Sequence, residues 1–168
     1  NGLRVINTLF DQKNIKTALG LDFKKWITNI RYGYLENNFG IAEGADYTAS
    51  NRRLLLFPYQ NIKNHSLSVE NIIFTGKSRV NATFGLSQNN RKEYEEDAFP
   101  TPSLGLKLNT LTYNLKWFSK EIKEKINLIV GTQGMLQENK NYGEEILIPD
   151  AQTIDIGVFS LLNYDLKR

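Results

Sequence analysis

The chain has 168 residues, of which 40% are hydrophobic and 11% aromatic, enough for one domain with a sizeable core. It contains no cysteine and a single histidine, which excludes a disulfide framework, a thiolate metal site and a histidine-rich metal cage. The formal net charge of +3 is spread along the chain, which argues against a nucleic-acid partner, and no apolar run is long enough for a transmembrane helix.

Alternation of apolar with polar or small side chains is the dominant pattern, and it predicts strands because successive side chains of a strand point to opposite faces. In chain order, the predicted strands cover residues 15–23, 26–34, 66–74, 80–86, 111–117, 126–132 and 158–166, about seven in all. Residues 115–130 also show apolar residues at helical spacing (Phe118, Ile122, Ile126 and Ile129), so a helix there is the competing interpretation.

The predicted connections alternate between short and long. The sequences "FKKW", "TGKS" and "SKEIKEK" are short, whereas the polar segments at residues 42–66, 90–103 and 137–153 are long. This rhythm is typical of outer-membrane barrels, which have short periplasmic turns and long external loops. Aromatic residues near the short turns fit an interfacial girdle: Phe23, Trp26, Phe74, Trp117, Phe118 and Tyr164.

The sequence thus predicts an all-β chain forming an antiparallel, up-and-down transmembrane β-barrel segment of about seven strands, with short periplasmic turns and long extracellular loops. A soluble antiparallel β-sandwich shares these strand signals and stays open as an alternative. In a sandwich, Leu19, Leu21, Tyr113 and Leu115 would meet a second sheet across a core about 10 Å thick. In a membrane barrel they would face lipid.

Four stretches resemble parts of the barrel of TonB-dependent outer-membrane receptors, the active importers of scarce nutrients. They are "INTLFDQKNIKTALGLDF", "RRLLLFPYQNIKNHSLSVEN" with its series Pro58, Gln60, Ile62 and His65, "FGLSQNNRKEYEE", and "GTQGMLQENKNYGEEILIPDA". They occur in consistent order over most of the chain.

The resemblance implies a barrel of about 22 strands around a separate N-terminal plug. Residues 1–168 are then one partial barrel domain, an internal segment of a longer receptor, from which the plug and the remaining strands are absent. It further implies a multi-pass protein of the outer membrane of a Gram-negative-type bacterium. Its partners would be outer-membrane lipid, a small-molecule or metal-chelate ligand, TonB through the absent N-terminal region and, in some receptors, a surface lipoprotein.

No pattern predicts catalysis, a metal site or a cofactor. "TGKS" ends like a phosphate-binding loop, but Asn71 stands where that motif needs glycine and a predicted strand follows, so a turn is expected. His65 has no carboxylate partner by spacing and is expected at a loop end, and the acidic run "RKEYEED" is expected in a solvated loop. We therefore do not predict an enzyme.

Binding is expected at the long loops, whose aromatic, amide and arginine side chains suit sugars, cofactor-like ligands or anionic chelates. The candidate residues are Arg52, Arg53, Tyr59, Gln60, Arg91, Tyr94, Gln137, Asn139, Asn141 and Glu144. The expected function is import of a ferric siderophore, a cobalamin-like molecule or a carbohydrate using TonB-coupled energy. A carbohydrate-binding sandwich module and a passive porin are the alternatives.

Overall fold

Seven long strands in one antiparallel sheet contain most of the residues that the structure describes. The computed structural model describes residues 3–42, 47–48, 55–119, 125–164 and 166. Its strands are β1 (Arg4–Val5), β2 (Phe10–Phe23), β3 (Trp26–Gly40), β4 (Tyr47–Thr48), β5 (Tyr59–Thr75), β6 (Ser78–Tyr94), β7 (Leu104–Phe118), β8 (Ile126–Asn141) and β9 (Ala151–Tyr164). The long strands follow chain order, β2-β3-β5-β6-β7-β8-β9, and β1 pairs with β4. The predicted all-β class and antiparallel meander are confirmed.

The sheet is open and one layer thick. Each long strand contacts only its neighbours in the sheet, and β2 and β9 form its two edges without contacting each other. These seven strands therefore do not close into a barrel by themselves. Within the described part of the chain, no helix is long and apolar enough to cross a membrane.

The strand register sorts the side chains onto two faces. Directly paired residues lie on the same face, so Leu19, Ile30 and Val69 begin one row that continues through the remaining strands to Ile156. We call this side the apolar face. Its aliphatic and aromatic members are Ile15, Leu19, Leu21, Phe23, Trp26, Ile30, Tyr32, Tyr34, Tyr59, Leu67, Val69, Ile73, Val80, Ala82, Phe84, Leu86, Tyr94, Leu111, Tyr113, Leu115, Trp117, Ile126, Leu128, Val130, Leu136, Ile154, Ile156, Val158, Leu162 and Tyr164.

The opposite side, which we call the polar face, carries mostly amides, hydroxyls, glycines and charges. One of its rows runs from Gly20 through Asn29, Glu70, Thr83, Asn114 and Gln133 to Gly157. The predicted alternation within each strand is therefore confirmed, and the register brings the seven alternating patterns into phase.

The described residues form no hydrophobic core under the apolar face. Leu104 is the one hydrophobic residue classed as buried in the described ranges. Leu19 is 55% exposed, although it lies in the middle of the apolar rows. The second sheet that a sandwich would place over Leu19, Leu21, Tyr113 and Leu115 is not formed by the described residues.

Two of the short connections are two-residue hairpin turns, as predicted. Lys24 and Lys25 join β2 to β3, and Gly76 and Lys77 join β5 to β6. Gly76 has a φ of 69°, which the first central position of a type II′ turn requires and glycine adopts without strain. The "TGKS" sequence is thus a hairpin turn. Most of "SKEIKEK" lies outside the described residues, but Leu104–Phe118 and Ile126–Asn141 are strands, so the helix considered for residues 115–130 is not formed in its described parts.

At the other end of the sheet, the prediction placed the strand ends wrongly. β5 begins at Tyr59, β6 ends at Tyr94 and β8 ends at Asn141, so much of the three predicted long loops is strand. The reason is physical. Backbone pairing continues there while both faces carry polar side chains, so the sequence loses the apolar alternation that marks a strand.

Four of the six aromatic residues of the predicted girdle lie on the same face of the sheet, and their place at a membrane interface stays a prediction. Phe23, Trp26, Trp117 and Tyr164 share the apolar face, and the rings of Phe23 and Trp26 stack at 5.7 Å. Phe74 and Phe118 lie on the polar face, because each is one residue out of phase with the apolar series. The Arg79 guanidinium covers the Phe118 ring at 4.1 Å.

The Asn7 side chain, just before β2, forms hydrogen bonds to both ends of the connection between β3 and β5. It adopts a φ of 57°, which asparagine tolerates better than most residues, and its side chain is buried. The Nδ2 atom donates to the carbonyls of Ile41 (3.0 Å) and Pro58 (2.7 Å), and Oδ1 accepts from the Leu56 amide (3.1 Å). A single side chain therefore joins the segment before β2 to the connection between β3 and β5.

We expect Asn7→Ala to release this connection, because three hydrogen bonds are lost and alanine disfavours the left-handed backbone. Hydrogen exchange on the full-length protein should show faster exchange at the Leu56 amide, with the central strands unaffected. Thr8→Ala is the control, since Thr8 makes one exposed bond, to the Val5 carbonyl. Equal protection at Leu56 in wild type and Asn7→Ala would contradict the assignment.

Candidate functional site

The predicted binding residues are divided between the two faces of the sheet. Gln60, Arg91, Gln137, Asn139 and Asn141 lie on the polar face, all within strands rather than in loops. Tyr59 and Tyr94 lie on the apolar face, and Glu144 is in the connection after β8. Arg52 and Arg53 lie outside the described residues. The predicted loop placement is therefore wrong for the seven strand residues and right for Glu144, and ligand binding by any of them stays a prediction.

On the polar face, the candidates belong to a dense field of amides near the long connections. Three neighbouring rows supply it: Gln137 pairs across to Thr110, Asn139 to Leu108 and Asn141 to Leu106. The amides of these rows are Gln12, Asn14, Asn37, Asn64, Asn89, Gln137, Asn139 and Asn141. Apolar side chains such as Leu35 and Ile62 are interspersed among them. We call this region the amide field.

One row of the amide field holds three buried polar atoms without a hydrogen-bond partner. They are Asn37 Oδ1, Arg91 Nε and Asn141 Oδ1, which the register places on one row across β3, β6 and β8. One strand separates each from the next, so they recur at intervals of about 10 Å. Because an unmade bond of a buried polar group is costly, these three atoms leave room for a hydrogen bond to water or to a polar group, as does Asn81 Oδ1 elsewhere on the polar face.

Gln60 has a structural role at the end of the same face. Its side chain is buried and donates from Nε2 to Glu93 Oε2 at 2.5 Å. The Ser103 hydroxyl donates to the Glu93 carbonyl at 3.1 Å, beside the buried Leu104. Gln60 therefore fixes the ends of β5 and β6 and has one amide donor already engaged.

Asn141 and Asp150 close the connection between β8 and β9. The backbone N–H and side-chain Nδ2 of Asn141 both donate to Asp150 Oδ1, at 2.7 and 3.1 Å, and Nδ2 also donates to the Ile148 carbonyl. The backbone hydrogen bond and then the side-chain bond lower the pKa of Asp150. The backbone N–H groups of Glu144 and Glu145 bond to the carbonyls of Pro102 and Ser103, which attaches this connection to its neighbour.

Tyr59 and Tyr94 belong to an aromatic cluster on the apolar face, far beyond the last apolar row. Their rings stack at 5.0 Å, and those of Phe57 and Phe99 pack on them at 5.3 and 6.0 Å. The cluster joins two connections to the strand ends and does not contribute to the amide field.

His65 lies within β5, not at a loop end as predicted. Its Nδ1 is 2.8 Å from the Tyr32 hydroxyl, and its ring packs against Tyr34 at 4.8 Å. "RKEYEED" is strand as far as Tyr94 and not wholly a loop. In the described parts of the chain, no group of three histidine or acidic residues is placed to hold a metal ion.

The sequence prediction missed the amides contributed by the middle strands, chiefly Asn37, Asn64 and Asn89. Each looks like an ordinary polar residue along its own strand. The sequence signal that could have found them is their position relative to the apolar residues of the same strand. Every second residue of a strand lies on the same face, and all three amides lie an odd number of residues from the apolar series, which places them on the polar face.

Comparisons of the chain with models of known protein families, with curated proteins and with solved structures found no match.

The depressed pKa of Asp150 predicts how the β8–β9 connection depends on pH. The charged carboxylate of Asp150 accepts the two hydrogen bonds from Asn141. Their contribution to the stability of this connection is therefore complete above the ordinary carboxyl pKa, near 3.9, and is lost as the pH falls through the lowered pKa of Asp150 in the folded protein. Hydrogen exchange, corrected for its intrinsic pH dependence, should show protection of residues 141–150 at pH 5–7 and its loss below about pH 4. Asp150→Asn cannot ionise and should remove this transition. Identical pH profiles for the two proteins would refute the assignment.

Proposed function

We propose that this chain is part of the β-barrel of an outer-membrane active importer, which binds a scarce nutrient and takes it up with TonB-coupled energy. The observation that carries the proposal is a one-layer sheet with a continuous apolar face that none of the other described elements covers, opposite a face of amides and charges. The resemblance of four stretches to TonB-dependent receptors supports the more specific activity.

Lipid is the environment that suits the apolar face. A soluble protein rarely exposes a contiguous apolar patch of more than a few hundred Å², and this face extends across all seven long strands. One amide within it is paired locally: Asn71 Oδ1 accepts from Trp26 Nε1 at 3.0 Å and from Thr28 Oγ1 at 2.8 Å. The face is therefore suited to contact hydrocarbon.

The height of the apolar face is compatible with a bilayer. At about 3.3 Å per residue, the series from Leu111 to Trp117 covers about 20 Å of strand and that from Ile126 to Leu136 about 33 Å. Strands tilted as in outer-membrane barrels would turn these lengths into about 15–25 Å of membrane thickness. The larger value equals the usual apolar band of such barrels.

The open edges complete the physical case. The outer sides of β2 and β9 present unpaired backbone groups, which hydrocarbon does not tolerate. In the proposal, further strands of a longer barrel pair with both edges. The polar face then lines a watery interior, where the amide field and Arg91 meet the ligand.

The ligand class follows from the polar face. Amides offer both donors and acceptors, which suits the hydroxyls of a carbohydrate, and the Arg91 guanidinium suits an anionic group such as a metal chelate. We propose that a ligand of one of these classes (ferric siderophore, cobalamin-like molecule or carbohydrate) binds the row of Asn37, Arg91 and Asn141.

Fractionation of the full-length parent tests the membrane assignment. We expect recovery in the outer-membrane fraction, with detergent required for extraction. Recovery in the soluble fraction would refute it and favour a binding module whose apolar face is covered by another part of the protein. Ligand-independent, passive solute flux through the purified protein would instead favour a porin.

Substitution of Leu19 tests which face meets lipid. Leu19→Arg should destabilise the folded protein by about 2–4 kcal/mol if the residue lies near the bilayer midplane, because a charge then enters hydrocarbon. Ala18→Arg is the matched control, since Ala18 is the adjacent residue on the polar face. Stability is measured by denaturant unfolding in lipid vesicles. A greater loss for Ala18→Arg would show that the two faces have been assigned the wrong way round.

A further inference from the structure

We propose that five lysines above the apolar rows form a binding site for the phosphate groups of outer-leaflet lipid. They are Lys13, Lys63, Lys92, Lys107 and Lys140, and we call them the lysine belt. All five lie on the apolar face, towards the long connections. This inference rests on the proposed membrane function and adds a lipid partner to it.

The position of the belt relative to the apolar rows points to a head group. The last apolar row contains Leu67, Leu86 and Leu111, and the row of Lys63 and Lys107 lies four residues further along the strands. That separation is about 13 Å along the strand, and less along the membrane normal if the strands tilt. Lysine stems bend towards the interface and carry the ammonium group into the head-group layer.

Two neighbouring clefts on the same face provide an amphiphilic path. The lower one, of about 440 Å³, has Leu86, Leu111 and Leu136 on its apolar side; its polar side has Gln88, Asn109 and Glu138, whose carboxylate is paired with Lys140. The upper one, of about 400 Å³, is lined by Lys63 and Lys92 with Asn38, Asn61 and Asn90. Acyl chains, a polar linker and a phosphate would meet matching side chains in that order.

Charge favours an anion at the upper cleft. Lys63 pairs with Glu36 at 3.2 Å and Lys140 with Glu138 at 3.1 Å, whereas no ion pair is formed by Lys92 or Lys107 with the described residues. Lys92 Nζ lies 5.9 Å from the centre of the Tyr142 ring, and the Tyr142 hydroxyl donates to Asn90. Lys92, which lines the upper cleft, and Lys107, which is paired across the sheet with Asn90 beside it, can therefore each meet phosphate oxygens.

The test compares matched lysine pairs on the two faces. Lys92→Gln/Lys107→Gln removes two belt charges without leaving a carboxylate unpaired, and Lys16→Gln/Lys116→Gln removes two from the polar face. The full-length protein, purified in nonionic detergent, is titrated with a bisphosphorylated acylated disaccharide lipid. The same lipid without phosphates and inorganic phosphate serve as the other probes, and binding is measured by native mass spectrometry.

We expect wild type and the polar-face variant to bind the phosphorylated lipid equally, and the belt variant to bind it about tenfold or more weakly. The dephosphorylated lipid and inorganic phosphate should bind weakly to all three proteins. Equal binding by the two variants, or equal binding of the dephosphorylated lipid, would overturn the lysine belt while leaving the membrane assignment intact. Tight binding of inorganic phosphate alone would identify an anion site in place of a lipid site. Recovery of the parent without detergent would overturn both proposals.

Discussion

The division of the side chains between an apolar and a polar face depends on one uninterrupted antiparallel register across the seven long strands. Once β2 is paired with β3, and each later strand with the next, every side chain is assigned to one of two faces. A slip of one residue in any strand would move its apolar side chains to the polar face. The turns help to hold the register, because the Lys24–Lys25 and Gly76–Lys77 connections leave no slack between paired strands.

In the proposed function, the two faces of the sheet meet two different solvents. A soluble domain buries its apolar side chains between layers, but here they form an uncovered surface while buried polar atoms on the other face lack partners. With water on both sides, the exposed side chains of the apolar face would cost free energy of hydration. With an apolar protein layer on both sides, the buried polar atoms of Asn37, Arg91 and Asn141 would lack hydrogen-bond partners. Hydrocarbon on one side and water on the other satisfies both conditions, which is why the proposed function begins from the sheet itself.

The strands were predictable from sequence where the two faces differ, and only there. Alternation identified all seven long strands and the correct phase of residues such as Leu19 and Trp117. It failed beyond the apolar rows, because Tyr59 to His65 and Gln137 to Asn141 have polar side chains on both faces while their backbones stay paired. Composition also could not show that neighbouring strands bring separate amides onto one row. That information belongs to the register.

Because the strands extend beyond the apolar rows, most of the predicted binding residues lie on strands and not on loops. Residues placed on loops would have to be ordered when a ligand arrives, at a cost in conformational entropy. Here Arg91 and Asn141 lie on paired strands, and the bonds from Asn141 to Asp150 also hold the connection above them. The amide field is therefore organised before any ligand binds. β6 and β7 also carry Lys92 and Lys107 on the apolar face. In the proposal, a contact between these lysines and lipid head groups would restrict the motion of the strands that position Arg91 and its row on the polar face.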